Sequence, residues 1–462
     1  MKVLLIKPFN DKAFAIVPPI GLGYLSTALR KQGHDVLILD CLAKDYNFKQ
    51  VAISFANYNP DVVGIQVFSD NLLVVKEYLK IFKKIKMSVV TIIGGPHPSA
   101  DPKQSLNFLQ EADFGFVGES EKGFYKLLAY LRGKEKNVYN IPGLVFRKGK
   151  NIISNPPYFE QDLDKLGFPA WDLINPKDYP HAPQGGFARF FPLAIIQTIR
   201  GCPYKCTFCG AHLINGFKMR PRAVKNVIQE IKLLCSKYGV KEFHITDDNF
   251  LFSKERVIRF CKKLKEGNYK LAWMCSSGVR LDLLDEGLLE HMKNSGCYAF
   301  GLGLESGSER ILKYMKKDLN LKRIDKQIGL IKKYGIRTIG LFIIGFPTET
   351  IEDVQKTIKL SKRLPFDRVQ FSYFLPIPGT EIYKELEKKG GLKNIDFTNY
   401  SSFGSLNYVP ASMTKKELKR MQMRAFLSFY LKPKNFLKLF EDIGSIDNLR
   451  YIIKRVSIYM FG

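Results

Sequence analysis

A chain of 462 residues is too long for one ordinary domain, and a hydrophobic content of 45% excludes a disordered polypeptide. The net charge of +28 is spread over many Lys-bearing segments, which reads as a solvated surface, so no nucleic-acid partner is expected. No apolar run reaches bilayer length, and the opening MKVLLIKPFN lacks the apolar span and cleavage site of a secretory signal, so the chain is expected to be cytoplasmic.

Residues 1–135 alternate strand and helix five times. KVLLIKP, HDVLILD, DVVGIQVF, VVTIIGG and ADFGFVGE are continuous Val/Ile/Leu-rich runs, separated by helical patterns such as LLVVKEYLKIFKKI. Runs apolar on both faces imply a parallel sheet covered by helices, hence a doubly wound, flavodoxin-like (Rossmann-like) domain. Ligands of such sheets sit beyond the carboxyl ends of the strands, here the loops 7–23, 69–73, 94–99 and 118–121. Residues 136–190 form a linker: a small hairpin with a Lys-Gly turn, then a Pro- and Asp-rich stretch in which Trp171 needs burial.

Strand and helix resume at 191 and run to 385. LAIIQTI, EFHITDD, LAWMCSS, YAFGLGLE, TIGLFIIGF and RVQFSYFLPI give six strands of an incomplete (β/α)6 barrel, with its chemistry at their carboxyl ends. Asp282-x-x-Asp285 and Thr350-x-x-Asp353 read as capping boxes, and Gly239, Gly267, Gly296 and Gly335 as helix stops. Residues 386–462 form a helical, basic and aromatic segment; 413–462 hold 11 Lys and Arg against 4 Asp and Glu. Its readings are a bundle packed on the barrel, a lid, or a peripheral contact with anionic membrane.

Directly after the first barrel strand, RGCPYKCTFCG brings Cys202, Cys206 and Cys209 together. Thiolates bind zinc or iron–sulfur clusters, and a structural zinc asks for four ligands that this stretch does not supply. Eight cysteines in so long a chain argue for metal or free thiols and against disulfides. Cys41, Cys235, Cys261, Cys275 and Cys297 form no close pair and read as small buried hydrophobes.

The C-x3-C-x2-C spacing after a barrel strand resembles that of radical S-adenosylmethionine enzymes. The resemblance implies a [4Fe-4S] cluster on Cys202, Cys206 and Cys209 whose open iron chelates S-adenosylmethionine. It extends to Phe208 as an aromatic near the adenine, and to Asp247, Asp248 and Asn249 near the cofactor's amino group. Arg280 would meet the methionine carboxylate, Glu305 and Ser306 the ribose and carboxylate, and GLFIIGFPTE, with Gly345 and Glu349, would lie along the adenine.

A flavodoxin-like domain ahead of this barrel, joined by FPAWDLI, resembles the cobalamin (B12)-binding members of that family. The resemblance then covers nearly the whole chain. It implies a cobalamin site from Pro19 and Gly21, from Gly94, Gly95, Pro96 and His97, and from Gly118 and Glu119. The D-x-H-x-x-G motif that supplies a cobalt-binding His elsewhere is absent, since neither His34 nor His97 has Asp two residues earlier; His34 reads as a surface or loop residue.

The activity implied is transfer of a methyl group from methylcobalamin to an unactivated carbon, after hydrogen abstraction by the 5′-deoxyadenosyl radical. The alternatives are a cyclase or rrearrangement enzyme of the same architecture, similar to the anaerobic porphyrin cyclases, and a tRNA-modifying relative. The implied partners are a small-molecule or lipid-like substrate and an external electron donor of flavodoxin or ferredoxin type.

Overall fold

The computed structural model describes residues 1–10, 16–181, 187–392, 400–401, 405–440, 449–450 and 453. The end of the expected helical segment, residues 441–462, therefore lies almost wholly outside the described residues.

The N-terminal unit runs β1 (Lys2–Lys7), α1 (Ile20–Arg30), β2 (Asp35–Asp40), α2 (Phe48–Tyr58), β3 (Val62–Gln66), α3 (Leu72–Ile85), β4 (Val90–Gly94), two short helices α4 (Pro96–Ala100) and α5 (Pro102–Phe108), β5 (Phe114–Phe116) and α6 (Glu121–Leu131). β1 shows why these runs become strands. Val3 and Leu5 pack toward α1 and α6, while Leu4 and Ile6 pack toward α2 and α3, all four fully buried. Each such side chain contributes roughly 1.5–3 kcal/mol of burial, and only a strand sandwiched between two helical layers buries both faces.

The strand order β2-β1-β3-β4-β5 is that of flavodoxin-like sheets. The hairpin β6 (Leu144–Lys148) and β7 (Asn151–Ser154), expected within the linker, instead extends this sheet antiparallel beyond β5. Trp171 is buried as expected, with its indole N–H donated to Glu230 at 3.0 Å.

The second unit begins with β8 (Leu193–Ile196), a two-residue ribbon strand β9 (Ile199–Arg200), a short helix α7 (Ala211–Asn215) and the ribbon's return β10 (Arg220–Pro221). It continues with α8 (Val224–Tyr238), β11 (Glu242–Ile245), α9 (Lys254–Glu266), β12 (Ala272–Cys275), α10 (Glu286–Asn294), β13 (Cys297–Glu305), α11 (Glu309–Tyr314), α12 (Ile324–Lys333), β14 (Arg337–Ile344), α13 (Ile351–Arg363) and β15 (Arg368–Tyr373). β8, β11, β12, β13, β14 and β15 pair in parallel, in chain order, as a six-stranded open barrel.

The Thr350–Asp353 capping box forms, and Gly239 ends α8 in the left-handed region. The box expected at Asp282 does not: residues 281–283 make a short turn, and Asp285 itself caps α10 by accepting from the Leu288 N–H. After α14 (Glu381–Lys388), α15 (Lys415–Tyr430) covers the free edge of β15, and α16 (Pro433–Phe440) follows it. The Tyr430 hydroxyl bridges the Val369 N–H and C=O, and the Gln422 amide donates to the Phe371 carbonyl. These side chains satisfy edge groups that would otherwise invite a further strand.

Candidate active site

The loop after β9 is fixed from several directions. Gly201 sits at φ +92°, and a Cβ there would lie 2.2 Å from the Lys218 carbonyl, so the ribbon of β9 and β10 requires glycine at this point. Thr207 donates its N–H to the Met315 carbonyl and accepts the Ile382 N–H, each at 3.0 Å, which ties the loop to the ends of α11 and α14. Cys202, Cys206, Phe208 and Cys209 thereby line one cavity at the carboxyl ends of the barrel strands. All three cysteines are free, and burial pushes each thiol up.

Among the described residues, no three His, Cys, Asp or Glu side chains converge on a single metal ion, which disfavours a compact zinc centre. A cubane makes a different demand. Each thiolate takes a different iron, so the thiols need only surround a shared space, and this donor set fits that requirement.

Asp247, Asp248 and Asn249 follow β11 and also line this cavity. Asp247 has both oxygens engaged, accepting from the Thr198 and Ile199 N–H groups at 2.6 and 3.1 Å and from the Thr198 hydroxyl at 2.5 Å. It braces β9, and burial pushes its carboxyl up to about 6. Asp248 accepts the Gly201 N–H and the Asn215 amide on Oδ2, and burial pushes it up as well. Asn249 is almost fully buried, and its Oδ1 has no hydrogen-bond partner. A buried acceptor left open in a cavity is a place for a ligand's donor.

Arg280 lies over the Tyr204 ring at 4.0 Å and bonds Asp282 and Asp318 at the cavity's rim. Glu305 reaches the cavity and pairs with Lys317 at 3.0 Å; Lys317 sits in a connection without a motif, and sequence reasoning missed it. Phe208 meets Phe346 edge to face at 6.3 Å.

Three expected contacts lie elsewhere. Ser306 is fully buried, with its hydroxyl held by the Ser308 N–H and the Thr357 hydroxyl. The Glu349 carboxylate folds back onto the Gly345 and Phe346 N–H groups at 2.6 and 3.2 Å, and Gly345 packs against Leu418. These residues close the turns after β13 and β14; their neighbours Gly303 and Leu341, and not they, line the cavity.

A second cavity opens at the carboxyl end of the N-terminal sheet. Ile20, Gly21, Gly94, Gly95, Pro96, Gly118 and Glu119 form its rim, and Leu5, Ile92, Phe116 and Phe124 its apolar floor. Gly64 leaves that floor open, since a Cβ would lie 2.8 Å from Leu5 and 3.2 Å from Phe124. Gly95 and Gly118 hold φ values of +106° and +66° and bring bare backbone to the rim. A glycine-lined mouth over an apolar cleft fits a bulky, flat ligand whose tail ends in an aromatic base, as cobalamin's does.

Pro19 only precedes α1 and does not line this cavity, nor does the loop 69–73. His97 is buried outside it, with both ring nitrogens bonded, to Ser69 and to Gln104, at 2.8 Å each. His34 stands in the loop before β2, as the loop reading expects, and is largely buried.

A hydrogen bond links the linings of the two cavities. Arg200 and Asn215, which bracket the cysteine loop, line the second cavity, while Asp248, bonded to Asn215, lines the first. Arg200 pairs with Glu119 and Glu121, and Arg220 with Glu119, so the acids of the N-terminal rim hold the ribbon that carries the cysteines.

Known proteins match both halves. The B12 binding domain model covers residues 6–128 and the Radical SAM superfamily model residues 196–361. An uncharacterized methyltransferase of Pyrococcus horikoshii is 32% identical, covering 98% of this chain and 97% of its own. Cytidylyl-2-hydroxyethylphosphonate methyltransferase of Streptomyces wedmorensis is 30% identical over 84% of this chain and 82% of its own. Anaerobic magnesium-protoporphyrin IX monomethyl ester cyclase of Rubrivivax gelatinosus is 27% identical over 95% and 79%.

In structure, the radical S-adenosylmethionine methyltransferase TsrM of Kitasatospora setae, solved with cobalamin and a [4Fe-4S] cluster, superposes with a TM-score of 0.72 at 17% identity, covering 92% of this chain and 90% of its own. With both domain models in the expected order, and near full-length similarity above 30%, the chain belongs to the cobalamin-binding radical S-adenosylmethionine enzymes.

Proposed function

We propose that this radical S-adenosylmethionine enzyme transfers a methyl group from cobalamin to an unactivated carbon of a small or lipid-like substrate. The observation that carries this reading is the link between the two cavities, whose lining residues Asn215 and Asp248 are hydrogen-bonded at 2.8 Å. Radical methylation needs the site of hydrogen abstraction and the methyl donor within reach of one carbon, and adjoining cavities meet that need. The names of the Pyrococcus and Streptomyces relatives point the same way.

When bound, the cluster would supply the electron that splits S-adenosylmethionine, and the corrinoid would supply the methyl group. The chain's own residues divide the remaining work. Cys202, Cys206 and Cys209 would hold the cluster, and Phe208 would pack near the adenine. Asp248 and Asn249 offer acceptors to the cofactor's ammonium, and Arg280 and Lys317 offer charge to its carboxylate. Gly94, Gly95, Gly118 and Glu119 would carry the corrin rim, and the floor around Gly64 its tail.

Anaerobic reconstitution tests the reading. Methyl transfer yields S-adenosylhomocysteine and 5′-deoxyadenosine in step. Formation of 5′-deoxyadenosine alone with the natural substrate would favour a cyclase, the second reading that the Rubrivivax relative supports.

The electron would come from a flavodoxin- or ferredoxin-type protein. A peripheral membrane contact is supported by Leu431 and Leu437, exposed by 69% and 65% beside Lys432 and Lys434. No helix among the described residues is long and apolar enough to cross a membrane. Co-sedimentation with anionic vesicles at low salt tests the contact, and protein left in the supernatant ends it.

A further inference from the structure

We propose that Lys317 raises the reduction potential of the cluster, with Glu305 as the counter-charge that limits the rise; this rests on the reading that Cys202, Cys206 and Cys209 hold an iron–sulfur cluster. The Lys317 ammonium and the Glu305 carboxylate, 3.0 Å apart, line the same cavity as the three cysteines, and both side chains are largely shielded from water.

The backbone is bent to place this pair. The register between β13 and β14 shifts between Gly303 and Glu305, a bulge that re-aims the end of the strand. Glu305 takes φ +63°, and Lys316, which delivers Lys317, takes φ +52°. Side chains rarely adopt this left-handed region, and strain of this kind collects at functional sites. Gly303 completes the arrangement, because a Cβ there would lie 2.5 Å from the Glu305 carboxylate and 3.3 Å from the Lys317 ammonium. Two strained residues and a missing side chain are more than a surface ion pair requires.

The physical consequence follows from charge. Reduction adds an electron to the cluster, and a fixed cation in a water-poor cavity stabilises the more negative state. Burial pulls the Lys317 pKa down, but the Glu305 carboxylate 3.0 Å away counters it and the net shift is upward, so Lys317 stays charged. Lys317 and Glu305 line the same cavity as the three thiols, so each charge acts on the cluster in the sense of its sign. Lys317 is here a positioning charge, and its role is independent of any contact with substrate.

The test is an EPR-monitored redox titration of the reconstituted cluster without S-adenosylmethionine, with iron and sulfide quantified. Lys317→Met should move the midpoint to more negative potential, Glu305→Gln to more positive potential, and Lys317→Arg should stay near the wild type. Shifts of the same sign, or unmoved midpoints with full iron content, overturn the proposal. Should Lys317→Met fail to take up iron, Glu305→Gln decides alone: a positive shift supports the proposal and no shift overturns it. A wild-type chain that binds no iron and sulfide sinks the cluster reading instead.

Discussion

Arg220 and Glu119 meet at 2.5 Å across the boundary between the two units, with side chains only 2% and 5% exposed. Arg220 comes from the ribbon that carries the cysteine loop, and Glu119 from the rim of the N-terminal cavity. Arg200, the strand partner of Arg220, also reaches Glu119 and adds Glu121 at 2.9 Å. Four charges thus share one desolvated volume, and each offsets part of what the others lose on leaving water.

Removing one partner from such a pair strands the other. Arg220→Met should destabilise the folded chain by about 3–5 kcal/mol, near the lower end because Arg200 still serves Glu119. The denaturant midpoint followed by tryptophan fluorescence should fall, and cobalamin retention should fall with it. Adding Glu119→Gln should restore part of the stability. A single variant as stable as the wild type would show that the pair has no latching role.

The cysteines make a sharper prediction. Cys202→Ala, Cys206→Ala and Cys209→Ala should each lower bound iron and abolish cleavage of S-adenosylmethionine. Cys261, Cys275 and Cys297 are buried among core side chains, so their Ala variants should keep full iron content and lose only packing stability. Iron per chain and the reduced-cluster EPR signal distinguish the two groups.

The frame of the molecule was legible because its signals are local. Buried runs alternate with helical periodicity, and the cysteine loop places its thiols within eight residues. Side-chain roles were less legible. Asp247, Ser306 and Glu349 have the residue types and neighbours of cofactor contacts, yet each is hydrogen-bonded to the backbone that positions the loops. Motif spacing does not distinguish these two uses. Lys317 was invisible for the opposite reason, since a left-handed residue outside any motif delivers it to Glu305, which a strand bulge and a left-handed turn place. The charge cluster of Glu119, Glu121, Arg200 and Arg220 draws on segments about a hundred residues apart, beyond the reach of any local pattern.

His97 separates a cobalt ligand from a structural histidine. Ser69 and Gln104 occupy its two nitrogens, and burial lowers its pKa, so a neutral ring bridges the turn at Ser69 and helix α5. Cob(II)alamin bound to this chain should show no nitrogen splitting from a protein imidazole in its EPR spectrum. His97→Asn should leave that spectrum unchanged while costing roughly 1–3 kcal/mol of stability through the groups left unpaired. A nitrogen splitting that disappears in the variant would make His97 a ligand.

Glu349 governs a pH dependence of stability. Its carboxyl is pushed up to about 8 from an ordinary 4.5, chiefly by burial, and Oε1 has no partner. The folded chain therefore keeps this proton where the unfolded chain releases it. Below about pH 4.5 both states are protonated and Glu349 costs nothing; as pH rises toward 8 the unfolded state gains, and stability falls by an amount on the order of 3–5 kcal/mol. Asp353, held down at about 2, acts in the opposite sense but below this window. Glu349→Gln keeps the neutral shape and removes the titration. The variant should match the wild type near pH 5, exceed it at pH 8 in urea-denaturation midpoint, and bind S-adenosylmethionine with unchanged affinity. A parallel fall in both proteins between these values would assign the pH dependence to another group, and a loss of S-adenosylmethionine binding would return Glu349 to the cofactor site.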